Sequence, residues 1–229
     1  RNACDVRVHQ NGAMVKTTPR AYGGVAADER RSRRRAALLE AALDLRAEEG
    51  AQAVTKRAVC HRAQLNDRYF YEQFTDRDAL LTALSEDLTA QGIAAVVAAT
   101  HAAPPDLHSQ VHAAADAALG FLLADPRRQA LLLNAHSTES LYTARVATQH
   151  AIATAATAVN RELRPDLTAD PADVELAAYL VVSGTLELVA AWLRGEFTTT
   201  REHLTAHVAS QLLQIPLADG GWAGPDSPG

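Results

Sequence analysis

Apolar residues recur along this chain at helical spacing, and nowhere over a useful length at the alternation of a strand. Leu38, Leu39, Ala42, Leu43 and Leu45 share one side of a helix predicted from about Ser32 to Glu49, which Gly50 stops. Thr55 opens a second helix, because its hydroxyl can accept a free amide of the first turn, and Ala58, Val59 and Ala63 face inward before the polar break Gln64-Leu65-Asn66. Asn66 caps a third, shorter helix that presents Asp67, Arg68 and Tyr69 outward, while Phe70 and Phe74, four apart, share an inward face. From Thr75 or Asp76 a longer helix runs through Leu80, Leu81, Leu84 and Leu88 toward Ala99, and Pro104-Pro105 break it.

The remaining chain continues in the same manner. A helix from about Leu107 to Ala124 buries Leu107, Val111, Ala115, Ala118 and Leu122. Asp125 caps the next, with Pro126 in its first turn, and either one long helix or two joined near His136 to Thr138 reach Leu163 before Pro165. Asp170-Pro171 open a helix that is apolar nearly all round and ends at Gly195. Thr199 and Glu202 form a capping box for a last helix through Leu204, Val208, Leu212 and Ile215, stopped by Pro216. The predicted fold class is therefore all-α.

Two short helices around a tight turn, the second with polar and aromatic tips, form a helix-turn-helix suited to a DNA major groove. Charge changes the picture only when it is divided. The 229 residues carry a net charge of −5, but residues 1–78 hold 15 Lys+Arg against 11 Asp+Glu, whereas residues 79–229 hold 7 against 16. The basic excess lies where the motif lies, as expected if one part touches phosphates.

The spacing from residue 33 to residue 81 resembles the DNA-binding domain of the tetracycline-repressor (TetR) family of bacterial transcription regulators. The resemblance rests on Leu38-Leu39-x-Ala41-Ala42, Gly50, Thr55, Val59, Ala63, Tyr71-x-x-Phe74 and Arg77-x-x-Leu80-Leu81, in register without a gap over about a fifth of the chain. The remainder resembles the family in layout alone. Composition reads residues 1–29 as a flexible arm and 216–229 as a disordered tail, and the resemblance implies a helix-turn-helix domain over 30–81 and an effector-binding and dimerisation domain over 82–215. It further implies a cytoplasmic repressor that binds an inverted-repeat operator in double-stranded DNA as a homodimer through 171–195 and 199–215, and is released by a small-molecule effector.

Roles can be assigned within the motif. The helix amino ends at Thr55 and Arg77 are placed to position phosphates, with Lys56, Arg57 and Tyr71 as further phosphate contacts. Arg68 is the foremost base reader, since a guanidinium can bond guanine O6 and N7 together, followed by Asn66 and Tyr69. Asp67 either accepts from a cytosine amino group or orients Arg68. The run Arg30, Arg31, Arg33, Arg34, Arg35 is either a solvated helix start or a reach into an adjacent minor groove. Four residues depart from the family pattern: Gln64 stands at the usual turn glycine, Arg46 at a common core aromatic, Ala51 where an aromatic often follows Gly50, and Asp67 is acidic in a helix expected to lie among phosphates.

For an effector, Phe121, Asn134, Ser137, Thr138 and Tyr142 are the candidate contacts; the polar cluster from Asn134 to Tyr142 either lines a cavity or caps a helix junction. His108 and His112 stand four apart on one helix, yet a metal needs a third and usually a fourth ligand, so no metal or cofactor is assigned. A metal-responsive regulator on the same scaffold remains an alternative, as does an all-helical enzyme, although no H-E-x-x-H, glycine-rich phosphate loop or G-x-S-x-G supports catalysis. Cys4 and Cys60 suggest no disulfide framework. Residues 1–13, preceding the only methionine, Met14, are read as vector-derived or otherwise extraneous. The segment 176–193 has the length of a membrane span, but Glu187 and its polar neighbours favour burial by protein, so no membrane partner is expected.

Overall fold

A computed structural model describes residues 22–133, 139–166 and 168–214. Asn134, Ser137 and Thr138 lie outside the described residues, as do the arm before residue 22 and the tail after 214. Nine α-helices and no strands occur among the described residues, in agreement with the all-α expectation.

The helix α1 (Tyr22–Glu49) is longer than its apolar pattern implied, so residues 22–29, assigned above to a flexible arm, are helical. The arginine run supplies a reason, because it ties the early turns of α1 to the third helix. Arg31 donates to the Glu72 carbonyl at 3.0 Å, and Arg34 pairs with the Glu72 carboxylate at 3.3 Å and lies 4.6 Å over the Tyr69 ring. Arg31 and Arg34 are therefore braces within the domain rather than a solvated run.

A single 3-10 turn at Ala51–Ala53 leads to α2 (Lys56–Arg62) and α3 (Asp67–Tyr71). The expected caps form: Thr55 accepts from the Ala58 amide and Asn66 from that of Arg68. Between the two helices the Leu65 amide donates to Cys60 O at 2.9 Å and the Gln64 amide to His61 O at 3.2 Å, the paired bonds of a Schellman stop. That stop requires a left-handed residue, and Gln64 supplies it at φ 54°. The same pair of bonds ends the eighth helix at Gly195, with φ 79°.

These elements enclose a core of Leu38, Leu43, Val54, Val59, Phe70, Phe74, Leu80 and Leu84, in which Phe70 is 1% exposed. Truncating such a buried ring costs about 3–5 kcal/mol, so the inward half of α3 holds the helix in place. The next helix, α4 (Arg77–Ala102), completes this core with its first two turns and continues into the rest of the molecule. The domain boundary expected at residue 81 consequently falls inside a helix shared by both parts.

The larger part comprises α5 (Leu107–Leu123), α6 (Pro126–Leu133), α7 (Glu139–Leu163), α8 (Pro171–Leu193) and α9 (Arg201–Leu213). Residues Val111, Ala115 and Leu119 of α5 pack with Val189 of α8 and Leu204 and Val208 of α9. Leu119 thus takes the buried position that the pattern gave to Ala118, which is exposed and borders a cavity described below. The cap of α9 is Thr200, not Thr199, because helix geometry begins at Arg201 and the Thr199 carbonyl is taken by the Trp192 indole at 3.0 Å. By length and composition α4 and α8 could each cross a bilayer. In this fold α4 instead packs on α5 and α7, and α8 on α7.

Candidate nucleic-acid interface and cavity

The outer face of α2 and α3 is built from residues whose neighbours secure the helices beneath them. Phe70 and Phe74 are buried with ring centroids 5.7 Å apart, which turns Arg68 and Tyr71 outward. Arg68 has 73% of its side chain exposed and only a 3.5 Å contact to Glu72. Tyr71 is 60% exposed, and Arg57 is exposed in the first turn of α2. Tyr69, expected outward, is half-buried under Arg34 and Arg68, with the Arg68 guanidinium 5.1 Å from its ring.

The ion pairs redistribute several of the roles assigned above. Asp67 orients Lys56, at 2.7 Å, and not Arg68. Hydrogen bonding to Asp67 raises the Lys56 pKa, and the same bond lowers that of Asp67. Lys56 also donates to the Tyr71 hydroxyl at 3.5 Å, so these three side chains form one unit at the junction of the helices. Asn66 uses its side-chain oxygen for capping, which removes that acceptor from base contact. Thr55 likewise spends its hydroxyl oxygen on the Ala58 amide while remaining exposed.

Arg77 is a correction of a different kind. Its Nε donates to Val54 O at 2.7 Å and an Nη to Ala51 O at 2.6 Å, so the side chain clamps the start of α4 to the segment before α2. A guanidinium committed to two carbonyls is a structural brace rather than a phosphate ligand. The amino end of α4 is itself answered by Asp76, which accepts from Ala79 at 2.8 Å; that bond holds the Asp76 carboxyl below its ordinary pKa.

The second feature is a cavity of about 370 Å³ in the larger part, bounded chiefly by α4, α5, α6, α7 and α8. Phe121 borders it, its ring packed 3.2 Å from where a Cβ would stand at Gly92. Tyr142 does not line it and is 57% exposed, because it sits on the outer side of α7. Sequence reasoning missed most of the polar wall: Arg128, Arg145 and Asn160, together with Arg46 from α1. The available signal was an arginine or asparagine at core spacing in otherwise apolar helices.

The cavity adjoins the N-terminal domain through α6. Arg127 on that helix bonds Asp125 at 2.7 Å and reaches Glu40 on α1 at 2.6 Å and Asp44 on the same helix, while Leu131 packs against the N-terminal core. The hydrogen bonds to Asp125, Glu40 and Asp44 push the Arg127 pKa above its already high ordinary value. No cluster of three metal-ligating side chains occurs among the described residues, and His108 and His112 are both exposed.

Residues 38–84 match the family described as bacterial regulatory proteins of the tetR family. The sequence matches no curated protein. Several solved structures share the fold. The fatty acid degradation regulator FadR from Bacillus halodurans is 16% identical with a TM-score of 0.64, over 78% of this chain and 97% of that one. The transcriptional regulator FadR from Bacillus subtilis, solved in complex with stearoyl-CoA, is 13% identical with a TM-score of 0.61, over 79% and 98%. A TetR family transcription regulator from Marinobacter aquaeolei VT8 is 20% identical with a TM-score of 0.55, over 82% and 97%.

Proposed function

We propose that this chain, a TetR-family transcriptional regulator, is a cytoplasmic repressor that binds an inverted-repeat operator as a homodimer and leaves it when a small molecule fills the cavity. The observation that carries the reading is the division of α3: Phe70 is sunk in the core, while Arg68 and Tyr71 stand exposed on the opposite side. A short helix anchored in this way can enter a major groove without surrendering its packing. Arg68 then reads a base, and Arg57, Tyr71 and the Lys56 ammonium hold phosphates.

One such domain contacts few phosphates, and affinity at physiological salt falls steeply with each contact missing, so two copies are required. Support for the pairing surface comes from α8, where Leu176 and Leu180, one turn apart, are 70% and 73% exposed. Two large apolar side chains on one helical face are the kind of surface a partner copy covers.

Release follows from the position of α6. Arg128 and Leu131 border the cavity, and the neighbouring Arg127 holds Glu40 and Asp44 of α1. A ligand that displaces α6 therefore draws α1 with it, and the spacing of the two reading helices in a dimer changes. Coupling of about 1–3 kcal/mol is typical and lowers operator affinity by about 5- to 150-fold.

Selection of bound fragments from the source genome tests the reading. A recurrent inverted repeat, retained by a dimer and lost steeply with salt, is expected. Retention without a recurrent repeat, or a sequence-independent salt profile alone, refutes it.

A further inference from the structure

Among the described residues, the unsatisfied side-chain groups of the cavity wall are all of one kind. Arg46 Nε and Nη1, Arg128 Nε and Asn160 Nδ2 are buried without an acceptor, and each is an N–H donor. Among the described residues, no aspartate or glutamate lines the cavity. The wall is otherwise chiefly apolar, and along α4 it extends from Ser85 to Thr100, which at the helical rise is about 22 Å.

Arg46 is the decisive residue. It is 5% exposed and, among the described residues, is the only one that α1 contributes to the lining. The other arginines have partners: Arg145 pairs with Glu187 at 2.6 Å, and Arg128, although its Nε is idle, donates through Nη1 to Phe121 O at 2.7 Å with its guanidinium 4.0 Å over the Phe121 ring. Burial and the neighbouring Arg77 both act against the charged form of Arg46, but a guanidinium keeps its proton in a protein. A buried cation with two idle donors costs stability unless an anion joins it.

We propose that the effector is an elongated apolar carboxylic acid, whose carboxylate seats on Arg46 and whose apolar body lies along α4. The inference rests on the effector-release reading above and adds its ligand class. A carboxylate accepts charge-assisted N–H bonds from a guanidinium, which answers an idle nitrogen and balances the buried charge. It also neutralises a charge beside Arg77, the clamp on Ala51 and Val54, and so acts directly on the segment that carries α2.

The test uses the full chain with palmitate against palmityl alcohol, and decanoate against decanol, by displacement titration and thermal melting. For at least one length the acid is expected to bind at least about tenfold more tightly than its alcohol, the effect of charge-assisted hydrogen bonding. In Arg46→Met that preference disappears, alcohol binding persists, and the ligand-free protein melts higher because an unpaired buried charge has gone. Arg46→Lys retains part of the preference, and Arg46→Gln replaces the methionine variant if that one does not fold. Equal binding of acid and alcohol at both lengths, or a preference that survives in Arg46→Met or Arg46→Gln, overturns the proposal. DNA retention of the unliganded wild-type protein is measured in parallel. Retention without acid preference overturns the carboxylate assignment alone, whereas acid preference without retention supports the site and overturns the repressor reading.

Discussion

Replacing Gln64 by glycine is expected to stabilise the protein, although it removes a whole side chain from the DNA-binding motif. Gln64 occupies the left-handed position of the Schellman stop between α2 and α3, with φ 54°, and both bonds of that stop form. A left-handed conformation costs a residue with a side chain about 1–2 kcal/mol. Glycine avoids that cost but loses more freedom on folding, which offsets about 0.4–1 kcal/mol. Gln64 is exposed, so no packing is lost. The balance favours glycine by about 0.5–1 kcal/mol, a rise in melting temperature of roughly 1–4 °C for a chain of this size. Alanine is the control, because it removes the same atoms and keeps the strain. Equilibrium unfolding of Gln64→Gly, Gln64→Ala and the unaltered protein decides the matter. A glycine variant no more stable than the alanine variant refutes the claim that backbone strain resides in this turn.

Other consequences follow from the same geometry. Arg68→Ala should lower discrimination between operator variants by about 1–3 kcal/mol in competition binding, and an unchanged site preference would assign base reading elsewhere. Arg77→Ala should cost about 1.5–3 kcal/mol of stability through its two carbonyl bonds and leave the salt slope of DNA binding unchanged; a slope reduced by about one would return Arg77 to the phosphates. Leu180→Arg should give a monomer by sedimentation at micromolar concentration, and a persistent dimer would place the pairing surface off the outer face of α8. Because pairing with Lys56 lowers the Asp67 pKa, the contribution of that pair is present above the ordinary aspartate range near pH 3.9 and is lost as pH falls through the lower folded value, a loss absent in Asp67→Asn when acid unfolding is followed by circular dichroism.

The reading helix was legible because it depends on local facts. The caps at Thr55 and Asn66, and the four-residue spacing of Phe70 and Phe74, each require only neighbours in sequence. Arg77 was not, since an arginine at a helix start serves a phosphate or a nearby carbonyl equally well, and Val54 lies 23 residues earlier. The cavity was less legible still. Its walls come from several helices, and Leu88, Ile93 and Val96 have the spacing of residues that fill a core. Arg46 was visible as a departure from an aromatic, and thinner packing was the natural expectation. What no single helix discloses is that α6, while packed on α1, leaves a cavity on its other side.

Besides α4, whose backbone runs through both parts, α1 joins the two halves of the molecule through its side chains. The same helix braces α3 through Arg31 and Arg34, meets α2 where Arg62 bonds Glu48 at 2.8 and 3.2 Å, and meets α6 through Arg127. Its tether to α6 is not strong. Partly exposed ion pairs contribute about 0.2–1 kcal/mol each, so the bonds of Arg127 to Glu40 and Asp44 together bear no more than about 2 kcal/mol before they part. That load is of the size of a typical coupling energy and leaves little margin. Leu131, packed against the N-terminal core from α6, must therefore carry the remainder through apolar contact, which persists when an ion pair is screened. High salt should weaken operator binding far more than it weakens the coupling between cavity and operator.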